Sequence, residues 1–166
     1  MNADAIRMLV DYQMREDRRL WREAIMTLPE PAFTVDTGYS WGTLQRECAP
    51  VVDVMQASLE RLHGIKEPTV AITIDDPTRE QVRAAWDGVE ARWKRYMAEL
   101  DDQQFIREID IVYRDTAMTT PVWQTIFHVL NHNTLHRAEM RQMIAAIGGS
   151  AGADRSFSAH CLARSG

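Results

Sequence analysis

Apolar side chains recur about every 3.6 residues in four long stretches of this chain. That period places them on one face of an α-helix, whereas a half-buried strand alternates apolar and polar residues. The helices predicted from the pattern cover residues 2–27, 40–63, 76–100 and 121–147. Four amphipathic helices in 166 residues predict an all-α fold, a four-helix bundle whose apolar faces pack together.

Residues that start or stop helices mark the predicted ends of these segments. Pro121 fits the first turn of the last helix, which does not need its missing N–H, and Gly148-Gly149 stops that helix. Ser40 is the predicted N-cap of the second helix, because its hydroxyl can accept a hydrogen bond from a free backbone N–H. Pro50 lies inside the second helix, where a proline costs about 3 kcal/mol, so we expect a bend or a break there.

Two other parts of the chain lack the helical period. Between residues 101 and 120, apolar and polar residues alternate imperfectly, which indicates a short hairpin-like excursion before the last helix. No period is visible after Gly149. The predicted organisation is therefore one bundle domain over residues 1–149 and an irregular C-terminal tail over residues 150–166.

Three of the five histidines, His128, His132 and His136, lie four residues apart in the last helix. Residues at this spacing share one helix face, so two neighbouring imidazoles can point at one metal ion. A metal site needs a third protein ligand, which must come from another helix; Glu47 is the best candidate and Cys48 the next. The alternative is that these histidines are surface or interhelical hydrogen-bonding groups.

Composition narrows the classes of function. The net charge is -5 and the pI is about 5.5, which argues against nucleic-acid binding. No stretch approaches the roughly 20 apolar residues of a membrane span, and the first 30 residues show no signal-peptide pattern. The two cysteines form no CxxC motif, so we expect a reducing, cytoplasmic location. Five Trp and nine Met predict bulky packing or the lining of an apolar cavity.

Several segments together resemble the DinB/YfiT family of bacterial four-helix-bundle proteins, and the similarity extends from the start of the chain to about Gly148. The last helix is the most specific of them. The family pattern there ends in His-Arg-Gly-Gln, from which this chain departs at two positions, Ala138 and Glu139. The segments that carry the resemblance are Leu28-Pro29, Tyr113-Arg114-Asp115, Thr120-Pro121-Val122-Trp123 and His128-Val-Leu-Asn-His132-Asn-Thr-Leu-His136-Arg137.

The resemblance implies that His132 and His136 are metal ligands. The third family ligand is a histidine of helix two, which this chain lacks; counting from Ser40 gives Glu47. Counting from Gly42-Thr43-Leu44 instead gives Arg46, which cannot bind a cation. Either Glu47 completes a two-histidine, one-glutamate set or the metal has been lost.

Two further residues of the last helix are expected to support the predicted metal ligands. His128 is a group that orients a ligand or a helix-packing histidine. Arg137 either pairs with a carboxylate or binds an anionic cofactor or substrate.

The function implied by the resemblance is binding of a divalent metal, zinc or nickel first and manganese next. Some family members look like S-transferases that use a low-molecular-weight thiol, so we expect a small-molecule electrophilic substrate. A water at the same open metal position would instead give a hydrolase. The alternative is a non-catalytic, stress-associated homodimeric bundle with a degenerate or structural metal site. Neither nucleic acid nor membrane is an expected partner.

Overall fold

Four long helices form the body of the chain in a computed structural model, which describes residues 2–113, 115–152 and 155–164. The predicted all-α bundle, with a hairpin before the last long helix, is confirmed. Two 3-10 turns, Ile25–Thr27 and Glu30–Phe33, follow the first helix. The regular elements in chain order are α1 Ala3–Glu23, α2 Leu44–Leu62, α3 Arg79–Glu99, the short α4 Asp102–Ile106, β1 Glu108–Tyr113, β2 Thr116–Pro121, α5 Val122–Ala146 and the short α6 Phe157–Leu162.

The core lies between the four long helices, with α2 packed along both α5 and α3, and α1 along α5. Three of the tryptophans, Trp21, Trp86 and Trp93, are at most 2% exposed and belong to this core. Trp93 also joins α3 to α2, because its Nε1 donates to the Met55 carbonyl at 3.0 Å. The expectation of bulky packing is therefore confirmed for these three rings.

The start of α2 corrects one prediction, since Thr43 and not Ser40 is its N-cap. Thr43 has extended backbone angles, φ -122° and ψ 152°, and its hydroxyl accepts from the Arg46 N–H. Ser40 has φ +48°, in the left-handed region, so it cannot take the extended conformation of a cap. Of the bend or break predicted at Pro50, the break is excluded, because α2 continues through this residue. Pro50 has no N–H to donate to the carbonyl of Arg46 four residues earlier, and Arg46 is exposed.

The C-terminal region confirms one prediction and corrects another. The predicted stop after α5 is confirmed: Gly148 has φ +77°, and the Gly149 N–H donates to the Ile144 carbonyl at 2.9 Å. The segment after it is not irregular throughout, because α6 forms within it. Contacts with α1 stabilise α6, including the Tyr12 hydroxyl, which donates to the Arg155 carbonyl at 2.7 Å. Six residues are too few to show a helical period in the sequence.

The hairpin stands at one end of α5. Its strands pair antiparallel from Glu108 with Pro121 to Tyr113 with Thr116. Ile109 is buried and anchors β1 to the core, Ile111 is half-buried, and the residues nearest the turn are exposed. Within the described part of the chain, no helix has the length and apolar character that crossing a membrane requires.

Candidate metal centre

A buried carboxylate and an imidazole meet where α2 packs on α5. Glu47 on α2 is fully buried, and His136 Nδ1 on α5 lies 2.5 Å from its Oε1. Glu139 Oε2 lies 3.2 Å from the same nitrogen, because residues three apart on a helix share a face. One ligand atom from each of these residues lies within 4.8 Å of the other two. We call Glu47, His136 and Glu139 the carboxylate–imidazole cluster.

Ser40 fixes the second oxygen of Glu47. The loop before α2 turns through the left-handed conformation at Ser40, and the Ser40 hydroxyl donates to Glu47 Oε2 at 2.9 Å. Both carboxylate oxygens of Glu47 are therefore engaged, one by the loop and one by α5. A buried carboxylate held in this way has a defined orientation, which a ligand for a metal ion requires.

The charges of the cluster depend on one another. Burial raises the pKa of Glu47, but hydrogen bonds with His136, Glu139 and Ser40 outweigh it, so this pKa is lowered overall. The hydrogen bond to Glu47 raises the pKa of His136 above its usual value. Burial and the neighbouring Glu47 carboxylate raise the pKa of Glu139. The cluster thus favours a positive charge beside Glu47, which either a proton or a metal ion can supply.

His132 lies beside the cluster and outside it. Its ring centroid is 4.3 Å from that of His136, so the structure brings the two predicted histidine ligands side by side. Burial, followed by the charges of His136 and His128, lowers the pKa of His132 to about 4. Its Nδ1 is buried and has no hydrogen-bond partner in the described structure. His132 is therefore a neutral imidazole at neutral pH.

His128 is one turn further from the cluster. Its ring centroid lies 5.8 Å from that of His132, and burial and the Arg61 charge lower its pKa. It touches His132 and not the carboxylates, so any orienting effect on the cluster would pass through His132.

Cys48 and Arg137 both point away from the cluster. Cys48 is fully buried with its Sγ 3.8 Å from Met140 Sδ, and burial raises its pKa well above the usual value, so it is an apolar core residue. Arg137 forms an ion pair with Asp17 of α1 at 2.7 Å, with both side chains 3% exposed. Pairing with a carboxylate was one of the two roles expected for Arg137, and the ion pair with Asp17 is such a contact.

Comparisons with known proteins agree with this fold. The profile of the DinB family matches residues 1–158. This chain belongs to the DinB family. The crystal structure of a DinB-like protein from Bacillus cereus superposes with a TM-score of 0.65 over 87% of this chain and 94% of that chain, at 15% sequence identity, which establishes the shared fold. No curated protein matches the chain.

The donor set of this DinB chain fits a divalent metal. Two carboxylates and one imidazole are ligand types that zinc, nickel and manganese accept. Of the cluster residues, the sequence predicted Glu47 and His136 as ligands but not Glu139, which counted only as a departure from the family pattern. The signal was the spacing, because an acidic residue three positions after a histidine lies on the same helix face.

Proposed function

We propose that this DinB protein holds a divalent metal ion through Glu47, His136 and Glu139 and acts as a thiol-dependent S-transferase on small electrophiles. The observation that carries the metal site is the meeting of these three ligand groups around one point, with Glu47 fully buried. Family membership supports a metal at this place. The S-transferase activity rests on the resemblance to thiol-using members of the family.

A bound divalent ion would lower the pKa of a thiol or water placed at its open position. The residues of the chain prepare that position. Ser40 and α5 orient Glu47, and the Glu47 carboxylate in turn orients the His136 ring. Glu139 is the most exposed of the three, with 22% of its side chain accessible, so a thiol would approach from its side. His132 adds no positive charge that would repel a cation, because its pKa is low.

A non-catalytic bundle is the second candidate, and one observation favours it. His136 donates directly to Glu47, so the buried carboxylate is satisfied by a proton between the two groups without any metal. In this form the protein would be a homodimer with a structural role, and the cluster would join α2 to α5.

Metal binding by titration calorimetry separates the candidates and the possible ligand sets. Chelator-treated protein is titrated with Zn²⁺, Ni²⁺ or Mn²⁺. We expect one ion per chain in the wild type. In Glu47→Gln and His136→Asn the affinity should fall by about 100-fold or more, because each variant loses a ligand. Glu139→Gln should lose affinity as well, and exposed Glu99→Gln is the matched control. Wild type without stoichiometric binding of any of the three ions would refute the metal site.

His132→Asn tells the two ligand sets apart. Near-normal affinity in this variant, together with a loss in Glu139→Gln, supports the cluster as the structure has it. The reverse result would return the site to the set of Glu47, His132 and His136 that the family pattern implies.

The transferase part has its own test. Conjugation of 1-chloro-2,4-dinitrobenzene is measured with glutathione, bacillithiol and mycothiol in turn. We expect turnover with one of these thiols by the metal-loaded wild type and none by His136→Asn. Metal binding without turnover by any of the three would leave the metal site standing and remove the S-transferase.

A further inference from the structure

A cavity lies between α2, α5 and the hairpin, away from the carboxylate–imidazole cluster. It has a volume of about 300 Å³, and we call it the hairpin cavity. His128 lines it on α5, two helical turns and about 12 Å along the helix axis from His136. Arg61 lines it on α2, 14 positions beyond Glu47. The two sites thus share their helices and occupy different levels of the bundle.

Arg61 brings a positive charge to the hairpin cavity. The guanidinium is half-buried, and its Nε is buried with no hydrogen-bond partner among the residues that the structure describes. No Asp or Glu occurs in the described lining of the cavity. A buried N–H donor of a charged group is costly when it is left unsatisfied. An anionic group in the cavity would supply the missing acceptor.

The walls opposite Arg61 are largely apolar. The hairpin contributes Ile111, Tyr113 and Met118, of which Tyr113 and Met118 are exposed. Thr125 of α5 is buried and adds a hydroxyl to the lining. A ligand that fits such walls has an apolar body, and the volume corresponds to about ten water molecules at about 30 Å³ each. The ligand is therefore small, with about ten non-hydrogen atoms.

We propose that the hairpin cavity binds a small carboxylate with an apolar body, its carboxylate paired with the Arg61 guanidinium and its body against the hairpin. A carboxylate suits this place because the planar guanidinium can donate two parallel hydrogen bonds to it. One arginine balances one negative charge, whereas a phosphate dianion calls for more than one cation. The site is independent of the proposed metal chemistry.

Titration calorimetry with benzoate tests this proposal, with benzamide as the uncharged equivalent and sulfate as an anion that has no apolar body. We expect one benzoate per chain, and binding of benzamide and sulfate weaker by about tenfold or more, because each lacks one half of the recognition. Arg61→Gln should weaken benzoate by a similar factor. Arg46→Gln removes the same charge from an exposed position of α2 and should have no effect.

Met118→Trp gives a second variant that leaves the arginine in place. A larger ring in the lining should block benzoate, and because position 118 is exposed, the thermal midpoint should change little. The affinity of the wild type for benzoate should be the same with and without chelator, which separates this site from the metal centre. The proposal is overturned if wild type shows no benzoate binding at millimolar concentration, if both variants bind as wild type does, or if sulfate binds as tightly as benzoate.

Discussion

The buried pair of Asp17 and Arg137 allows a quantitative prediction about stability and pH. Burial raises the pKa of Asp17 from 3.8 to about 6, against the opposing effect of the Arg137 charge and of hydrogen bonds from Arg137, Asn133 and Gln13. A carboxyl whose pKa is higher in the folded state binds its proton more tightly there than in the unfolded chain. Its contribution to stability is therefore fully present below about pH 3.8 and is lost as the pH rises through about 6.

The size of this effect follows from the two pKa values of Asp17. A rise from 3.8 to about 6 corresponds to about 3 kcal/mol, because each pKa unit is worth about 1.4 kcal/mol. Asp17→Asn keeps the shape of the protonated carboxyl and cannot ionise. We therefore expect the unfolding free energy of wild type minus that of Asp17→Asn to fall by about 3 kcal/mol between about pH 4 and pH 8.

Urea denaturation followed by circular dichroism at several pH values measures this difference. Groups other than Asp17 titrate alike in both proteins, so their effects cancel. Asp87→Asn is the matched control, because Asp87 is exposed and forms a surface ion pair with Arg83, for which a difference of at most about 1 kcal/mol is expected. A difference that stays constant for Asp17→Asn, or that rises with pH, would show that Arg137 outweighs burial and would refute the reasoning.

Three substitutions test other contacts of the fold. Ser40→Ala removes the hydroxyl that orients Glu47 but no helix cap, so metal affinity should fall about 10- to 100-fold while the thermal midpoint changes little. An unchanged affinity would show that Ser40 does not support the site. Thr78→Ala removes the capping box of α3 and should cost about 1 kcal/mol in urea denaturation, without an effect on metal binding. Gly149→Ala should lower the free energy of unfolding by about 1–3 kcal/mol in the same assay, because an added Cβ would lie 2.8 Å from Ile144 Cγ2. Stability equal to wild type would mean that this contact relaxes freely.

The sequence allowed the four long helices to be predicted because each buries one continuous apolar face. Periodicity reports such burial directly, and Gly148-Gly149 marked the end of the last helix. The start of α2 was missed because Ser40 and Thr43 both have the chemistry of an N-cap, and only the backbone angles distinguish them. The short α6 was missed because its contacts with α1 join residues far apart in the chain.

The candidate site was predictable to the extent that it depends on spacing within one helix. The four-residue spacing placed His132 and His136 side by side. Glu47 was the best candidate for a third ligand on another helix, and the count from Ser40 in the family pattern gave the same residue. The distances in the structure group Glu139, rather than His132, with Glu47 and His136. Which residue joins the group depends on how α2 packs against α5. Relative placement of two helices is set by the packing of many side chains, which a single sequence does not display.

The link from Ser40 to Glu47 gives the protein an internal fluorescent reporter. Trp41 follows Ser40 directly and is 55% exposed, whereas Trp21, Trp86 and Trp93 are buried. A cation that draws Glu47 towards itself would pull on the Ser40 hydroxyl and change the surroundings of the neighbouring indole. With the half-exposed Trp123 replaced by phenylalanine, the emission of Trp41 can follow metal titrations without a label, and Ser40→Ala should uncouple that signal from the site.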